Sequence, residues 1–263
     1  MSLKIYFYAD KEYENVIPEP VPAYKQLPRW FSDLESTSNS KKCPFRFITE
    51  DKKNIDRKLN TAKSCPGIFD FLTSGYIINS WSTFLFREHD NNSLYVNWID
   101  TNVDNFASFH ESWETGNYFN EEDPYKVFVK LKSPWMIKTD PGVSVLMVHP
   151  LWNNENRFTT STGIYHTDVS VMSLPWFFKW NNKIHSGMEL DGMDEKSQII
   201  EVGTPLMYII PFYRKKFKSE INYVDSSKIK NMERSIFSTN HGTSRIKNSL
   251  YNTITRRFGI RYR

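Results

Sequence analysis

The sequence predicts a mainly β protein, a β-sandwich or a jelly roll of the double-stranded β-helix kind, with short N-terminal helices and further helices towards the C-terminus. Three observations carry this reading. Aromatic residues make up 16% of the 263 residues, and Phe, Tyr and Trp favour pleated, half-buried surfaces. Short apolar segments follow one another between about residues 75 and 213, separated by turn residues at fairly regular spacing, which is the pattern of sandwiches and barrels. Glycine is scarce, ten residues against thirteen prolines, and neither G-x-G-x-x-G nor G-x-x-x-x-G-K-[ST] occurs, which argues against Rossmann and P-loop enzymes.

The elements follow in order. Leu3 to Tyr8 alternates and reads as a first strand. Ile17-Pro18-Glu19-Pro20-Val21-Pro22 is extended, with polyproline character, and leads into a short helix that starts at Pro28 and is anchored by Trp30 and Phe31. Glu35 to Lys42 is a polar loop, and Asp51 to Lys63 is polar and exposed. Cys65-Pro66 turns into a second short helix over Gly67 to Thr73. Gly75 to Ile78 opens the strand-rich region. Trp81 to Phe86 and Ser93 to Ile99 predict a hairpin around Glu88 to Asn92. Val127 to Leu131 is a strand. Trp135 to Lys138 and Val143 to Val148 predict a second hairpin, closed by Thr139-Asp140-Pro141-Gly142. Arg157 to Tyr165 and Ser173 to Trp180 are further strands. Ile199 to Val202 and Leu206 to Phe212 flank a Gly203-Thr204-Pro205 turn. Then the period changes: Ile246, Leu250, Ile254 and Phe258 recur every fourth residue, as on one face of a helix, and Ser226 is the expected cap of an earlier helix carrying Ile229, Met232 and Ile236.

This divides the chain into a β-rich domain over residues 1–215, with an extended and helical lead-in over 1–74, and a basic helical tail over 216–263. Charge follows the same division. Arg214 to Arg263 holds thirteen basic and three acidic residues, a balance of +10, whereas Met1 to Tyr213 has a balance of −6. A basic tail on an acidic body suits an anionic partner such as nucleic acid, or the acidic face of another subunit; a solvated helical face is the plainer alternative. Mean hydropathy is −0.56 and no long apolar run occurs, so no membrane span is expected. The first ten residues are not expected to act as a signal peptide, because the apolar run is short and Asp10, Glu12 and Glu14 follow at once. Cys43 and Cys65 are read as two buried or half-buried free thiols in a reducing compartment; no C-x-x-C or H-x-x-x-H spacing suggests a metal site.

The sharpest chemical signal is His166-Thr167-Asp168. On a strand, residues two apart share a face, so an imidazole and a carboxylate would stand together as two legs of a facial triad for non-haem Fe(II). His241 is the candidate third ligand, because His185 follows too closely. Arg245 or Arg256, with Arg257 beside it, could then bind a co-substrate carboxylate. The competing reading is a turn histidine and a hydrogen-bonded aspartate. His149, at a strand end before Pro150, is either a pocket residue or a hydrogen-bonded strand terminus. Trp135, Trp152, Trp176 and Trp180 could stack on a base or sugar, with core packing the favoured alternative. Glu121-Glu122-Asp123 reads as a solvated loop, and no G-x-S-x-G elbow supports serine catalysis.

The series Leu27-Pro28-Arg29-Trp30-Phe31, Cys65-Pro66, Gly75-Tyr76-Ile77-Ile78, Pro141-Gly142-Val143-Ser144-Val145-Leu146, His149-Pro150, Gly163, Thr167-Asp168, Gly203-Thr204-Pro205-Leu206 and Ile210-Pro211-Phe212 resembles a family of phage and bacterial proteins common in marine T4-like phages. The resemblance covers most of the chain to about residue 215 and implies no activity; an acidic residue is usual there at the place of His166. It implies a location in the host cytoplasm or the virion. Gly163 to Asp168 and Val202 to Leu206 are also similar to the closing segment of trimeric dUTPases, with His166 at the place of their catalytic aspartate, which implies a β-rich topology only. The resulting expectation is a non-enzymatic β-domain that binds a ligand or a protein partner, itself or a virion component. The alternatives are an Fe(II) oxygenase built on His166 and Asp168, and a nucleic-acid or nucleotide binder working through the tail.

Overall fold

The computed structural model describes residues 3–39, 58–89, 93–99, 103, 106–184 and 197–232. The chain forms two compact units, Met1–Arg214 and Lys215–Arg263.

The first unit is a β-sandwich. Its first sheet is built on a long strand, β9 (Val127–Thr139), paired along one edge with β13 (Met172–Trp180), which in turn pairs with β11 (Phe158–Thr160). The other edge of β9 is shared end to end by β1 (Ile5–Tyr8) and β8 (Ala107–Glu111). The second sheet runs β12 (Gly163–Tyr165), β10 (Val143–Val148), β15 (Pro205–Tyr213), β5 (Tyr76–Asn79), β2 (Val21–Pro22). A smaller sheet joins β14 (Ser197–Ile200), β6 (Phe84–His89) and β7 (Ser93–Trp98), and β3 (Thr37–Asn39) pairs with β4 (Lys58–Asn60). Every pairing among the described residues is antiparallel.

Period-two alternation sets the core. Val129, Leu131 and Ile137 of β9, with Trp176 and Phe178 of β13, meet Val145, Met147 and Ile209 of the second sheet in one buried cluster. Aromatic rings dominate it: Trp176 stacks on Phe178 at 3.8 Å, and Phe158 meets Trp176 edge-on at 4.9 Å. The second sheet is apolar on both faces. Its outer residues Ile77 and Tyr208 are covered by Ala23 and by the helix α2 (Pro66–Thr73), whose Phe71 stacks on Tyr208 at 5.5 Å. Proline at the first helical position suits α2, since its missing N–H would have no partner there. The helix α1 (Arg29–Asp33) follows Pro28 and buries Phe31, while Trp30 is half-buried and donates from Nε1 to the Trp152 carbonyl at 2.5 Å.

One expected hairpin and one expected strand resolve differently, and a third turn also joins strands of different sheets. The segments on either side of Thr139-Asp140-Pro141-Gly142 do not form a hairpin: β9 lies in the first sheet and β10 in the second, and the turn carries the chain across the sandwich. The expected strand from Arg157 to Tyr165 breaks at Ser161 into β11 and β12, again one in each sheet. The Gly203 turn connects β14 to β15, which pair with β6 and β5 rather than with each other. The expected hairpin around residues 88–92 does form, as β6–β7.

The strand expected at Val127 to Leu131 and the one at Trp135 to Lys138 are a single strand. Pro134 within β9 has no ladder donor, and the pairing with β13 slips between Ser173 and Pro175 at this place. Side chains fill in: Ser173 donates to the Ser133 carbonyl at 2.5 Å, and the Trp135 N–H reaches the Ser133 hydroxyl at 3.1 Å. In the second unit residues 226–232 are helical. Ser226 does not cap this helix; it is already inside it, and the Asp225 carbonyl accepts the first bonds, from Lys228 and Ile229. Cys65, expected to be buried or half-buried, is an exposed free thiol ahead of α2. Cys43 and Ile246 to Phe258 lie outside the described residues.

Candidate functional site

His166 and Asp168 are not on a strand. The strand β12 ends at Tyr165, and the next residues turn, with the Val169 N–H donating to the His166 carbonyl at 3.2 Å. Thr167 is the inward residue: it is fully buried, and its hydroxyl meets that of Thr139 at 2.8 Å. His166 is therefore exposed on one side of a buried anchor, while the Asp168 side chain on the other is only 7% exposed, and neither is on a strand.

A residue far along the chain gathers them. Arg214, immediately after β15, forms a fork on Asp168: Nη1 donates to Oδ1 at 2.7 Å and Nη2 to Oδ2. Asp168 Oδ2 also accepts the Gly142 N–H at 2.9 Å. The guanidinium first, and this N–H second, hold the Asp168 carboxyl at about 2, well below its ordinary range, and Asp168 in turn raises Arg214. The Arg214 N–H donates to the Gly142 carbonyl at 2.9 Å, so main chain and side chain together fasten the β9–β10 turn to the end of β15. Gly142 stands at φ +83, and a Cβ there would come within 2.8 Å of the Tyr213 ring.

Arg214 Nη1 also reaches the Ser144 hydroxyl at 2.7 Å and His166 Nδ1 at 3.0 Å, and Ser144 Oγ lies 2.8 Å from the same ring nitrogen. A guanidinium only donates, so His166 Nδ1 accepts, and the proton of the neutral ring sits on Nε2. Serine, histidine and aspartate are thus assembled, but not as a triad. The aspartate is bound to arginine instead of imidazole, and Ser144 is fully buried, out of reach of a substrate carbonyl.

His149 is likewise fixed. Its Nδ1 accepts the Thr160 N–H at 3.2 Å, and its Nε2 donates to the Glu155 carbonyl at 3.3 Å, a neutral tautomer with both nitrogens occupied. Burial pushes its pKa down, against a smaller opposing pull from Glu155. Burial would raise Glu155 itself, but Arg157 holds it below its ordinary range through paired bonds, and Arg157 also donates to the Ile199 carbonyl at 2.7 Å.

Trp176, expected as a ligand-stacking candidate, is wholly buried; its Nε1 donates to the Thr160 hydroxyl at 3.1 Å and neither ring face is open to a ligand. Trp180 is also core. Trp135 is half-buried and donates to the Pro18 carbonyl at 3.0 Å, whereas Trp152 is 48% exposed at φ 72 and packs against Trp30. Glu121 to Asp123 rim an open polar depression of about 600 Å³ with Tyr125, Asn182 and Lys183. Burial acts to raise Asp123, but Lys179, at 2.6 Å, and the Asn120 N–H hold it low. His241, Arg245, Arg256 and Arg257 lie outside the described residues, as does His185. No group of three or more His, Cys, Asp and Glu side chains is placed to hold a metal ion among the described residues.

Sequence reasoning found His166 and Asp168 but not Ser144 and Arg214. The one signal for Ser144 is a polar residue inside the apolar run Val143 to Val148; Arg214 reads only as the first of many basic residues. No helix among the described residues is long and apolar enough to cross a membrane.

No family model matches the chain, and no curated protein matches it. Among solved structures, a mutant dUTPase from phage phi11 of S. aureus, described for its coordination of a structural Mg(II) ion, is similar to this chain with a TM-score of 0.32 and 12% identity, over 58% of this chain and 84% of that one; the likeness is weak.

Proposed function

We propose that the chain is a non-enzymatic, partner-binding β-domain of phage type, acting in the host cytoplasm or the virion. The observation that carries this is the state of Asp168. Both of its oxygens are committed, to the Arg214 fork and the Gly142 N–H, in a link that closes one end of the sandwich. The other polar side chains around it support the same reading, since Ser144 is sealed in and both His149 nitrogens are spent on main-chain groups. A carboxylate that must give up a bidentate arginine before it meets a metal is a poor ligand, which sets the oxygenase alternative behind this one. Binding through the basic tail remains a separate reading that rests on the charge of residues 214–263 alone.

The test is an anaerobic Fe(II) titration of untagged full-length protein beside its Asp168→Ala variant. The expected outcome is no stoichiometric iron in either. Stoichiometric iron in the parent that disappears in Asp168→Ala refutes the proposal.

A further inference from the structure

The two sheets differ in what covers them. The outer face of the second sheet is packed by α2 and the segment around Ala23, while on the outer face of the first sheet Tyr118 and Phe119 cover Phe128 at one end and Lys130, Lys132, Met136 and Lys138 beyond it are exposed. Along β9, Lys130, Lys132 and Lys138 alternate with buried Leu131, Ile137 and Thr139, so all three project to this open face. Neighbouring strands add aromatic and neutral residues. Tyr6 stands opposite Lys138 and Tyr8 opposite Met136 on β1, Ser108 opposite Lys130 on β8, and Pro175 opposite Lys132 on β13. The strands β1, β9, β11 and β13 contain no Asp or Glu at all, although the balance of residues 1–213 is −6. The acidic groups near the face are few. Glu111 ends β8; Glu114 lies 3.3 Å from His110 of β8; Asp123 is held by Lys179; Asp140, beyond the end of β9, accepts the Lys4 N–H at 2.7 Å and lies 3.5 Å from the Tyr6 hydroxyl. No carboxylate among the described residues pairs with Lys130, Lys132 or Lys138.

The tyrosines give this cationic face a second property. The Tyr6 and Tyr8 rings are 6.4 Å apart and within 15° of parallel, with 37% and 48% of each residue exposed. A sheet that presents flat aromatic rings beside a row of lysines matches a chain carrying both phosphates and unstacked bases. An acidic peptide would use the lysines but leave the rings without a role. A second copy docked face to face about a two-fold axis would set lysine against lysine. A duplex hides its bases from the rings.

We propose that the outer face of the first sheet binds single-stranded nucleic acid, Tyr6 and Tyr8 stacking on bases and Lys130, Lys132 and Lys138 meeting phosphates. This names the partner class of the binding domain proposed above, and rests on that reading.

The test titrates the full-length protein, by fluorescence anisotropy over a series of salt concentrations, with labelled oligothymidylate and with its duplex on oligoadenylate. The single strand is expected to bind at least about tenfold more tightly than the duplex. Changing Lys130→Gln and Lys132→Gln together should flatten the slope of log K against log salt by about 1.4, two phosphate contacts on a single strand. Changing Tyr6→Ala and Tyr8→Ala should weaken binding by about tenfold and leave that slope unchanged. Arg256→Gln with Arg257→Gln should leave affinity as it was. Unchanged melting temperatures show that each variant folds; the surface lysine pair serves as the test on its own should the tyrosine pair melt early. Equal affinity for duplex, displacement by polyglutamate at matched charge, or loss of binding only in the tail variant overturns the inference. Absence of oligonucleotide binding in protein that also takes no Fe(II) overturns this inference alone, whereas stoichiometric Fe(II) removes the reading beneath it.

Discussion

Asp168 and Arg214 stand 46 positions apart, and their contact decides what His166 can do. With Nδ1 facing Arg214 and Ser144, the imidazole is oriented by the link rather than by a substrate. The low Asp168 pKa makes the link pH-sensitive in a definite direction. A carboxylate whose pKa falls from 3.8 unfolded to about 2 folded contributes stability that is complete above the unfolded value and is lost as pH falls through the folded one. Asp168→Asn is therefore expected to lower the melting temperature at neutral pH and to make the melting temperature fall less steeply between pH 3.8 and about 2, read by circular dichroism melts at stepped pH. A melting curve indistinguishable from the parent at neutral pH would show that the link carries no stability. The His-x-Asp pair was legible in sequence because its members are two residues apart. Its partners were not: an arginine at the head of a basic run and a serine in an apolar strand carry no local mark of their meeting.

At the scale of elements, strand identity and strand pairing separate. Apolar runs and turn residues locate β10, β13 and β15 closely, but the same turn residues that close a hairpin also carry a chain from one sheet to the other. The Asp140-Pro141-Gly142 and Gly203 turns do the second, because β9 and β15 each find longer partners elsewhere. Gly75 shows how tightly such contacts are set. It stands at φ +70, and a Cβ would fall 2.2 Å from the Ile209 carbonyl oxygen, where β5 meets β15. Gly75→Ala adds left-handed strain to a main-chain clash, and should destabilise the fold by about 3 kcal/mol or more, measured by urea unfolding. A change within about 0.5 kcal/mol would mean that the strand junction is looser than this geometry requires.

For the whole molecule, one aromatic core joins two sheets, and the two outer faces have different fates. The second sheet is apolar on both sides and is covered by the N-terminal helices; the first is apolar within and cationic without. Hydrogen exchange should follow the same architecture. Amides of β9, β13, β10 and β15 are expected to exchange slowest, near the global unfolding limit, and those of the β3–β4 ribbon fastest, measured by mass spectrometry. Fast exchange in β9 would contradict its place at the centre of the first sheet.

What the sequence by itself determined is the class of fold, the positions of most strands, the short N-terminal helices and the partition of charge, since alternation, turn chemistry and composition are local properties of the chain. Tertiary structure alone decided which sheet each strand joins, that Trp176 is core, that Arg214 ties Asp168 into the frame, and that three lysines and two tyrosines share one open face. Each of these depends on residues brought together across tens of positions, where long-range packing and strand register override any local signal.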